Sequence, residues 1–325
     1  MQEEKVKVLI RCCTYNHEKY IAQALDGFVM QQTNFKFVAI VHDDASTDRT
    51  AEIVKEYAEK YPDIIKPIFE TENLYSKHDG SLRKVMNGAC SQFEPLYIAV
   101  CEGDDYWTDP YKLQKQVDFL DTHPDFVICS CVYNLYYQNT NDLQPCDHYR
   151  HLSWKKENNV EFFEYSIELY TREWFTQPLT TLYRNGSYLN ESPAEKYTYY
   201  RDNVFYYYVL KQGKGVLLKD VMGVYRKHDG GIYTGQSVLY NKNITLVTYI
   251  ELYKNNDDID LGYSINWFMD YLISYLRRNP SCTIDILKML FYYIRKAPLN
   301  IKMQLLKQYC WKWFFLDKIA KRMKV

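Results

Sequence analysis

The first part of the chain alternates between apolar runs of strand length and longer segments with apolar residues at helical spacing. The short runs predict strands at Val6–Cys12, Phe35–Val41, Ile64–Phe69, Leu96–Cys101 and Phe126–Val132. The segments between them predict helices at Glu18–Met30, from Ser46-Thr47-Asp48 onward, at Ser81–Cys90 and at Tyr111–Thr122. This order predicts an α/β fold with a mainly parallel sheet flanked by helices.

The alternation stops after Tyr133. Residues 134–159 are polar and irregular, which predicts a long loop. Further strands are expected at 178–183 and 215–225, with a helix at 204–210 between them. From about Tyr240 onward the pattern is helical. We therefore expect one α/β domain over residues 1–238, with halves 1–132 and 133–238, followed by a helical C-terminal region, 239–325.

The fourth predicted strand ends in three carboxylates within four residues, Glu102-Gly103-Asp104-Asp105. Like charges this close repel, so a folding role alone does not explain the cluster. A solvated acidic turn is the simpler alternative, because Gly-Asp-Asp suits turns. The apolar run before the cluster and Tyr106-Trp107 after it favour a site that holds a divalent cation or a polar ligand.

Composition narrows the function classes. The net charge of −1 gives no general attraction for nucleic acid. The nine cysteines show no zinc-like or disulfide-like spacing, which indicates buried thiols in a reducing compartment. With no charged-then-apolar leader and no apolar run of about 18 residues, we expect a cytoplasmic protein.

Four motifs, spread over about residues 5–235, together resemble the inverting, GT-A-fold glycosyltransferases of family 2. They are Val8-Leu9-Ile10 with Cys13-Thr14-Tyr15-Asn16, then Val41-His42-Asp43-Asp44-Ala45-Ser46-Thr47-Asp48, then Glu102-Gly103-Asp104-Asp105, and finally Arg201-Asp202 with Tyr225-Arg226-Lys227-His228-Asp229-Gly230-Gly231. The chain departs from the family pattern at Ala45, usually Gly, and at Glu102, usually Asp. The residues of the acidic motif are similar to those found in family members from bacterial capsule, O-antigen and exopolysaccharide pathways.

The resemblance implies a site for a nucleotide sugar. Tyr15 offers a ring for stacking on the base, and Asp44 can accept from the N3–H of uracil or thymine, which favours UDP or dTDP over GDP. Asp104 is expected to hold ribose or sugar hydroxyls, and Arg226 to neutralise phosphate. The full set of expected donor-binding residues is Thr14, Tyr15, Asn16, Asp43, Asp44, Asp104 and Arg226.

The same resemblance implies a divalent cation, Mg²⁺ or Mn²⁺, that helps a nucleoside diphosphate to leave. Asp105 and His228 are the expected ligands. Inversion at the sugar carbon requires one base that takes the proton of the acceptor hydroxyl, and Asp202 is the residue at the family's position for that base.

The last residues carry a concentrated positive charge. From Ser281 onward there are ten Lys or Arg against two Asp, a local charge of about +8. Aromatic residues lie among these cations in Gln304–Val325, which predicts a helix that binds an anionic membrane surface. A helix packed on the catalytic domain is the alternative. Membrane binding would suit a lipid-linked saccharide acceptor at the inner face of the cell membrane.

Two other functions remain open from the sequence. A sugar nucleotidyltransferase shares the α/β start, but Thr14-Tyr15-Asn16-His17 stands where such enzymes have a Gly-rich basic loop. A non-catalytic module that binds nucleotide sugars or glycans would not need Asp44, Asp105 and Asp202 together. We therefore expect a hexosyl- or N-acetylhexosaminyltransferase that acts on a glycan or a lipid-linked saccharide.

Overall fold

The computed structural model describes residues 5–186, 194–232 and 234–256, with Tyr271, Ser274, Leu299 and Met303 as isolated positions. The chain divides into two compact units. The first contains Met1–Ser192 and Phe205–Gly235, and the second contains Pro193–Val204 and Gln236–Val325. No helix among the described residues has both the length and the apolar character needed to cross a membrane.

The described part of the first unit contains a mixed sheet of eleven strands. They are β1 (Val8–Thr14), β2 (Phe37–Asp43), β3 (Ile65–Phe69), β4 (Tyr97–Val100), β5 (Tyr106–Trp107), β6 (Phe126–Tyr137), β7 (Asp142–Pro145), β8 (Lys155–Glu157), β9 (Val160–Tyr165), β10 (Leu182–Arg184) and β11 (Lys214–Lys227). Their order is β3-β2-β1-β4-β10-β6-β11-β9-β8, while β5 pairs with β11 and β7 pairs with β6.

The predicted parallel part of the sheet is present. Strand β1 pairs in parallel with β2 and with β4, and β2 pairs in parallel with β3. Every residue of β2 is buried, as expected for a strand that helices cover on both faces. Strands β10, β5 and β9 add antiparallel pairs, so the sheet as a whole is mixed.

Seven α-helices lie in the described residues. They are α1 (Ile21–Val29), α2 (Thr50–Lys60), α3 (Ser81–Ser91), α4 (Lys112–Thr122), α5 (Ile167–Tyr170), α6 (Asp202–Leu210) and α7 (Val238–Asn255). Helix α2 begins later than expected, at Thr50, and its N-cap Arg49 makes no side-chain cap bond. Asp48 instead closes the turn before the helix, where its Oδ1 accepts from the Thr50 N–H at 2.9 Å. Asp48 Oδ2 also accepts from the Glu18 N–H at 3.0 Å, which joins the loops after β1 and β2.

The prediction of a long irregular loop at 134–159 was wrong. Strand β6 continues to Tyr137 and turns into β7, and β8 follows. The outer half of β6 pairs in parallel with the far end of β11, from Asn134 opposite Val224 to Tyr137 opposite Lys227. The polar residues of this region therefore lie on partly exposed strands, where an apolar pattern is not required.

Strand β11 spans 14 residues and changes neighbours along its length. Its first half pairs with β9 through Gly215–Leu218, and its second half pairs with β5 through Gly223 and Val224. Register irregularities against β6 occur between Leu218 and Val221 and between Val221 and Gly223. They separate the two halves of the strand.

The second unit is described in two short ranges, which contain α7. Ser237 caps α7 by accepting from the Tyr240 N–H at 3.2 Å. Glu251 of α7 accepts from the Thr198 N–H at 2.9 Å. The membrane-binding prediction for Gln304–Val325 falls outside the described residues.

Gly103, in the loop after β4, packs closely against Thr14 at the end of β1, and an added methyl group tests this contact. A Cβ on Gly103 would lie 2.6 Å from Thr14 Oγ1 and 2.7 Å from Thr14 Cβ. Gly103→Ala should therefore lower the free energy of unfolding by about 1–3 kcal/mol, seen as a lower melting temperature. Gly88→Ala is the matched control, because a Cβ there meets nothing within 4 Å inside α3 and should stabilise by up to about 1 kcal/mol. Equal melting temperatures for the two variants would contradict the close approach.

Candidate active site

The predicted motifs meet at the carboxyl edge of the parallel strands. Thr14 ends β1, Asp43 ends β2, and the acidic motif follows β4. The Asp44 N–H donates to the Thr14 carbonyl at 3.0 Å, and the Gly103 N–H donates to the Cys13 carbonyl at 3.0 Å. These bonds hold the three strand ends together at the edge where open α/β sheets bind ligands.

The loop after β1 presents Tyr15 to solvent. The Tyr15 side chain is 43 % exposed, although its neighbour Thr14 is buried. Asn16 has a φ of 55°, a left-handed conformation that asparagine tolerates well. Its N–H donates to Ser46 Oγ at 2.9 Å, and its Oδ1 accepts from the Thr47 N–H at 2.8 Å. Asn16 thus fixes the loop and leaves the Tyr15 ring free for stacking.

Asp43 and Asp44 are both buried and shape the next two loops. Asp43 Oδ2 accepts from the Ser46 N–H at 3.1 Å, across a turn in which Ala45 has a φ of 62°. Asp44 Oδ1 and Oδ2 accept from the N–H groups of Leu74 at 2.7 Å and Tyr75 at 2.9 Å. Each carboxylate oxygen has a second lone pair, so the predicted role of these residues in donor binding stays a prediction.

A cluster of two histidines and one carboxylate lies beside these loops. His228 Nε2 is 3.1 Å and His17 Nε2 is 3.9 Å from the same oxygen, Asp104 Oδ2. The ligand atoms of the three residues all lie within 4.8 Å of one another, close enough to bind one metal ion. Imidazole nitrogens and a carboxylate oxygen are suitable donors for a divalent cation, so the residues fit the predicted cofactor.

The charges of the cluster affect one another. Burial by itself would raise the pKa of Asp104, but the hydrogen bond with His228 and the charge of His17 hold that pKa below its usual value. Burial also lowers the pKa of His17, although the Asp104 charge opposes this shift. A carboxylate kept ionised beside a neutral imidazole is a state that can bind a cation.

Asp105 has a different environment from Asp104. It is buried, and its Oδ1 accepts from the Arg226 N–H at 2.8 Å. Burial and the charge of Asp104 raise the pKa of Asp105 well above its usual value. The third acid of the motif, Glu102, accepts from the Cys13 N–H at 3.1 Å. Asp104 is the acid of the motif that lies with the two histidines. The predicted role of Asp105 as a metal ligand stays a prediction.

Arg226 is buried and bonded to the protein through each part of its guanidinium. Nε donates to the Asp104 carbonyl at 2.9 Å and Nη1 to Gln138 Oε1 at 2.7 Å, while Nη2 donates to Gln23 Oε1. The guanidinium carbon lies about 5 Å from three aromatic rings, those of Tyr20, Tyr106 and Tyr136. Arg226 thus positions the acidic motif; its predicted contact with phosphate stays a prediction.

Strand β5, which follows the acidic motif, is fixed by a buried lysine. The Lys112 Nζ lies 4.3 Å from the centre of the Trp107 ring and donates to Gln116 Oε1 at 2.6 Å. Trp107 Nε1 in turn donates to the Leu179 carbonyl at 2.7 Å. Burial lowers the pKa of Lys112. These contacts hold β5 in place. Strand β5 in turn pairs with Gly223 and Val224 of β11, just before Arg226.

The predicted base, Asp202, is the first residue of α6 and belongs to the second unit. The Asp202 side chain is exposed. Partial desolvation by nearby protein atoms raises the pKa of its carboxyl above the usual value, and the positive charge of Arg201 opposes this shift. A raised pKa strengthens a carboxylate as a base. The catalytic role of Asp202 stays a prediction.

Within the first unit, the structure groups most of the predicted residues around one edge of the sheet. Asp104 and His228 lie in the cluster with His17, Thr14 Oγ1 contacts the His17 ring, and Tyr15 and Asp44 occupy the neighbouring loops. His17, which lies two residues after Tyr15, was not among the predicted site residues. Its position just beyond the end of a parallel strand was the available signal.

Comparisons with known proteins support the same interpretation. Residues 10–188 match the family model described as Glycosyl transferase family 2. An uncharacterized protein of Mycobacterium tuberculosis is 36% identical over 224 residues, which cover 68% of this chain and 58% of that relative. The poly(ribitol-phosphate) β-N-acetylglucosaminyltransferase TarS of Staphylococcus aureus is 32% identical over 116 residues, which cover 35% of this chain and 19% of TarS.

Solved structures show the fold. TarS residues 1–349 in complex with UDP-GlcNAc superpose with a TM-score of 0.64 at 20% identity, covering 94% of this chain and 85% of that one. The mannosyltransferase PcManGT from Pyrobaculum calidifontis, in complex with GDP-Man and Mn²⁺, gives a TM-score of 0.56 at 16% identity, with 97% and 85% covered. The chain belongs to glycosyl transferase family 2 and has the GT-A fold. Both predictions are confirmed.

The two aspartates of the motif can be distinguished by mutation. Asp104→Asn should weaken Mn²⁺ binding at least about tenfold, because it removes the charge next to both histidines. Asp105→Asn should change the affinity by less than about threefold, because its amide oxygen can still accept from the Arg226 N–H. Isothermal titration of the protein with Mn²⁺ checks both. If Asp105→Asn instead weakened Mn²⁺ binding more than Asp104→Asn does, Asp105 would be the metal ligand.

Proposed function

We propose that this protein transfers a sugar from a UDP-sugar to a glycan or a lipid-linked saccharide, with inversion at the sugar carbon. Membership of family 2 supports glycosyl transfer as the reaction class. The observation that carries the proposal is the cluster of Asp104 and His228 beside the exposed ring of Tyr15. It combines a cation site with a stacking surface, the two features that a nucleotide sugar requires.

Asp104 and His228 hold the divalent cation in this proposal. When bound, the cation neutralises the charge that develops on the leaving nucleoside diphosphate. Tyr15 stacks on the base, and Asp44 accepts from the N3–H of uracil, which favours a uridine nucleotide. The solved complex of TarS with UDP-GlcNAc supports a UDP-sugar as the donor.

Asp202 is the proposed base. It takes the proton of the acceptor hydroxyl while that oxygen attacks the sugar carbon opposite the leaving diphosphate. One displacement forms the new bond and breaks the old one, so no covalent intermediate with the protein is needed. A carboxylate whose pKa is raised is a stronger base, which supports this role.

The acceptor and the location extend the proposal. We place the reaction in cell-surface polysaccharide synthesis, on the cytoplasmic side of the membrane. The positive charge of the C-terminal residues supports attraction to an anionic membrane surface that carries a lipid-linked acceptor.

A donor panel tests the choice of nucleotide. With Mn²⁺ present, UDP-GlcNAc or another UDP-sugar should raise the melting temperature by several degrees, since a ligand at 100 times its Kd contributes about 2.7 kcal/mol. The dTDP-sugars should shift the melting temperature less, and GDP-sugars should have no effect. Stabilisation by none of these donors would contradict the proposed function.

A carboxylate substitution tests the base. Asp202→Asn should lower the metal-dependent hydrolysis of the stabilising UDP-sugar by at least about 100-fold, because the general base is lost. The donor-induced rise in melting temperature should be unchanged. Asp220→Asn is the control, as it removes an exposed carboxylate that pairs only with Lys115 among the described ion pairs. Hydrolysis by Asp202→Asn at the wild-type rate would rule out Asp202.

A further inference from the structure

We propose that His17 is a third protein ligand of the cation, and that the set of two imidazoles and one carboxylate selects Mn²⁺ or a similar transition ion over Mg²⁺. This inference rests on the proposed function, in which Asp104 and His228 hold the cation. It adds a ligand from the first loop of the fold, and it states which of the two expected ions the site prefers.

The distances around Asp104 are those expected of ligands that share one ion. His228 Nε2 and His17 Nε2 lie 3.1 Å and 3.9 Å from the same carboxylate oxygen. Ligand atoms about 2.1 Å from an octahedral ion lie about 3 Å apart when adjacent and about 4.2 Å apart when opposite. An ion between the three side chains therefore requires only small movements of the imidazole rings.

The orientation of His17 is fixed in the way that metal-binding histidines usually are. Its Nδ1 lies 3.1 Å from Thr14 Oγ1, so that hydroxyl holds one ring nitrogen and Nε2 faces Asp104. Its backbone N–H donates to Thr50 Oγ1 at 2.8 Å, and its carbonyl accepts from the N–H groups of Tyr20 and Ile21, both at 2.8 Å. The loop is therefore already in place, and only a small movement of the ring is needed for Nε2 to bind an ion.

His228 approaches the same point from the other end of the chain. It is buried, and its ring lies 4.6 Å from the ring of Tyr20. The rings of His17 and His228 are 6.1 Å apart and almost perpendicular, at 86°. Two imidazoles from distant segments thus point to one carboxylate, an arrangement that neither helical periodicity nor strand pairing would produce.

The donor set determines the ion. Mg²⁺ prefers oxygen ligands and retains its water, whereas imidazole nitrogens suit first-row transition ions. A site with two nitrogen ligands and one oxygen ligand is therefore expected to bind Mn²⁺ more tightly than Mg²⁺. The diphosphate oxygens of a donor would complete the coordination and supply the hard ligands.

The test uses the full-length protein and the metal ions alone. Mn²⁺ is titrated into the protein and followed by electron paramagnetic resonance, and the affinity for Mg²⁺ is measured by competition. The Kd for Mn²⁺ should be at least about tenfold lower than the Kd for Mg²⁺. Pulsed measurements on bound Mn²⁺ should detect two coordinated imidazole nitrogens. His17→Gln should remove one of the two nitrogen signals and weaken Mn²⁺ binding about tenfold, with little change for Mg²⁺.

Two further variants keep the result interpretable. His151→Gln is the matched control, because His151 is exposed and pairs with Glu173 outside the cluster. His17→Asp replaces a nitrogen by an oxygen ligand, so it should bind Mn²⁺ better than His17→Gln does and should narrow the preference over Mg²⁺. Melting temperatures of all variants identify any that fails to fold.

The outcomes separate this inference from the proposed function. If His17→Gln binds Mn²⁺ as wild type does and keeps both nitrogen signals, His17 is not a ligand. If that variant instead weakens only UDP binding, His17 contacts the diphosphate, and the inference is wrong while the transferase function stands. If Mn²⁺ binds through His17 but no nucleotide sugar stabilises the protein, the ligand set stands and the proposed function fails.

Discussion

The candidate site depends on one buried arginine that joins two distant parts of the chain. Through its backbone N–H and its guanidinium, Arg226 bonds to Asp105 and to the Asp104 carbonyl, more than 120 residues earlier. Burying a guanidinium costs free energy unless its charge and its N–H groups are satisfied. Here three aromatic faces, two amide oxygens and a backbone carbonyl offset that cost. Because both backbone segments are fixed, His228 lies against Asp104. The proposed cation site is thus a consequence of a packing arrangement.

The parts of the fold that could be predicted are those whose information is local. Strands β1 to β4 are apolar runs bounded by polar loops, and the turn at Asp48 and the acidic motif at the end of β4 are each contiguous in sequence. The resemblance then placed Tyr15 and Asp44 on neighbouring loops, which the structure joins through the bond between the Asp44 N–H and the Thr14 carbonyl. Short-range pattern and strand order were sufficient for this half of the site.

The remaining features depend on long-range pairing. Asp104 and Asp105 are adjacent and chemically identical, and which of them faces His228 is decided by the pairing of β5 with β11. The hairpin of β6 and β7 was missed because its residues are half exposed and show no apolar alternation. His17 follows the end of β1, but that position alone does not identify a ligand, because its partner His228 comes from the far end of the chain.

Strand β11 has a consequence for how the length of this protein can vary. Its residues Gly223 and Val224 are fixed by β5, and Arg226 and His228 follow within four residues. Side chains alternate between the two faces of a strand, so one inserted or deleted residue here would turn the guanidinium and the imidazole to the wrong sides. The turn between β8 and β9, at the exposed residues Asn158 and Asn159, lies outside the contacts of Arg226 and His228. Length variation and grafted segments are therefore tolerable at that turn but not between Gly223 and His228.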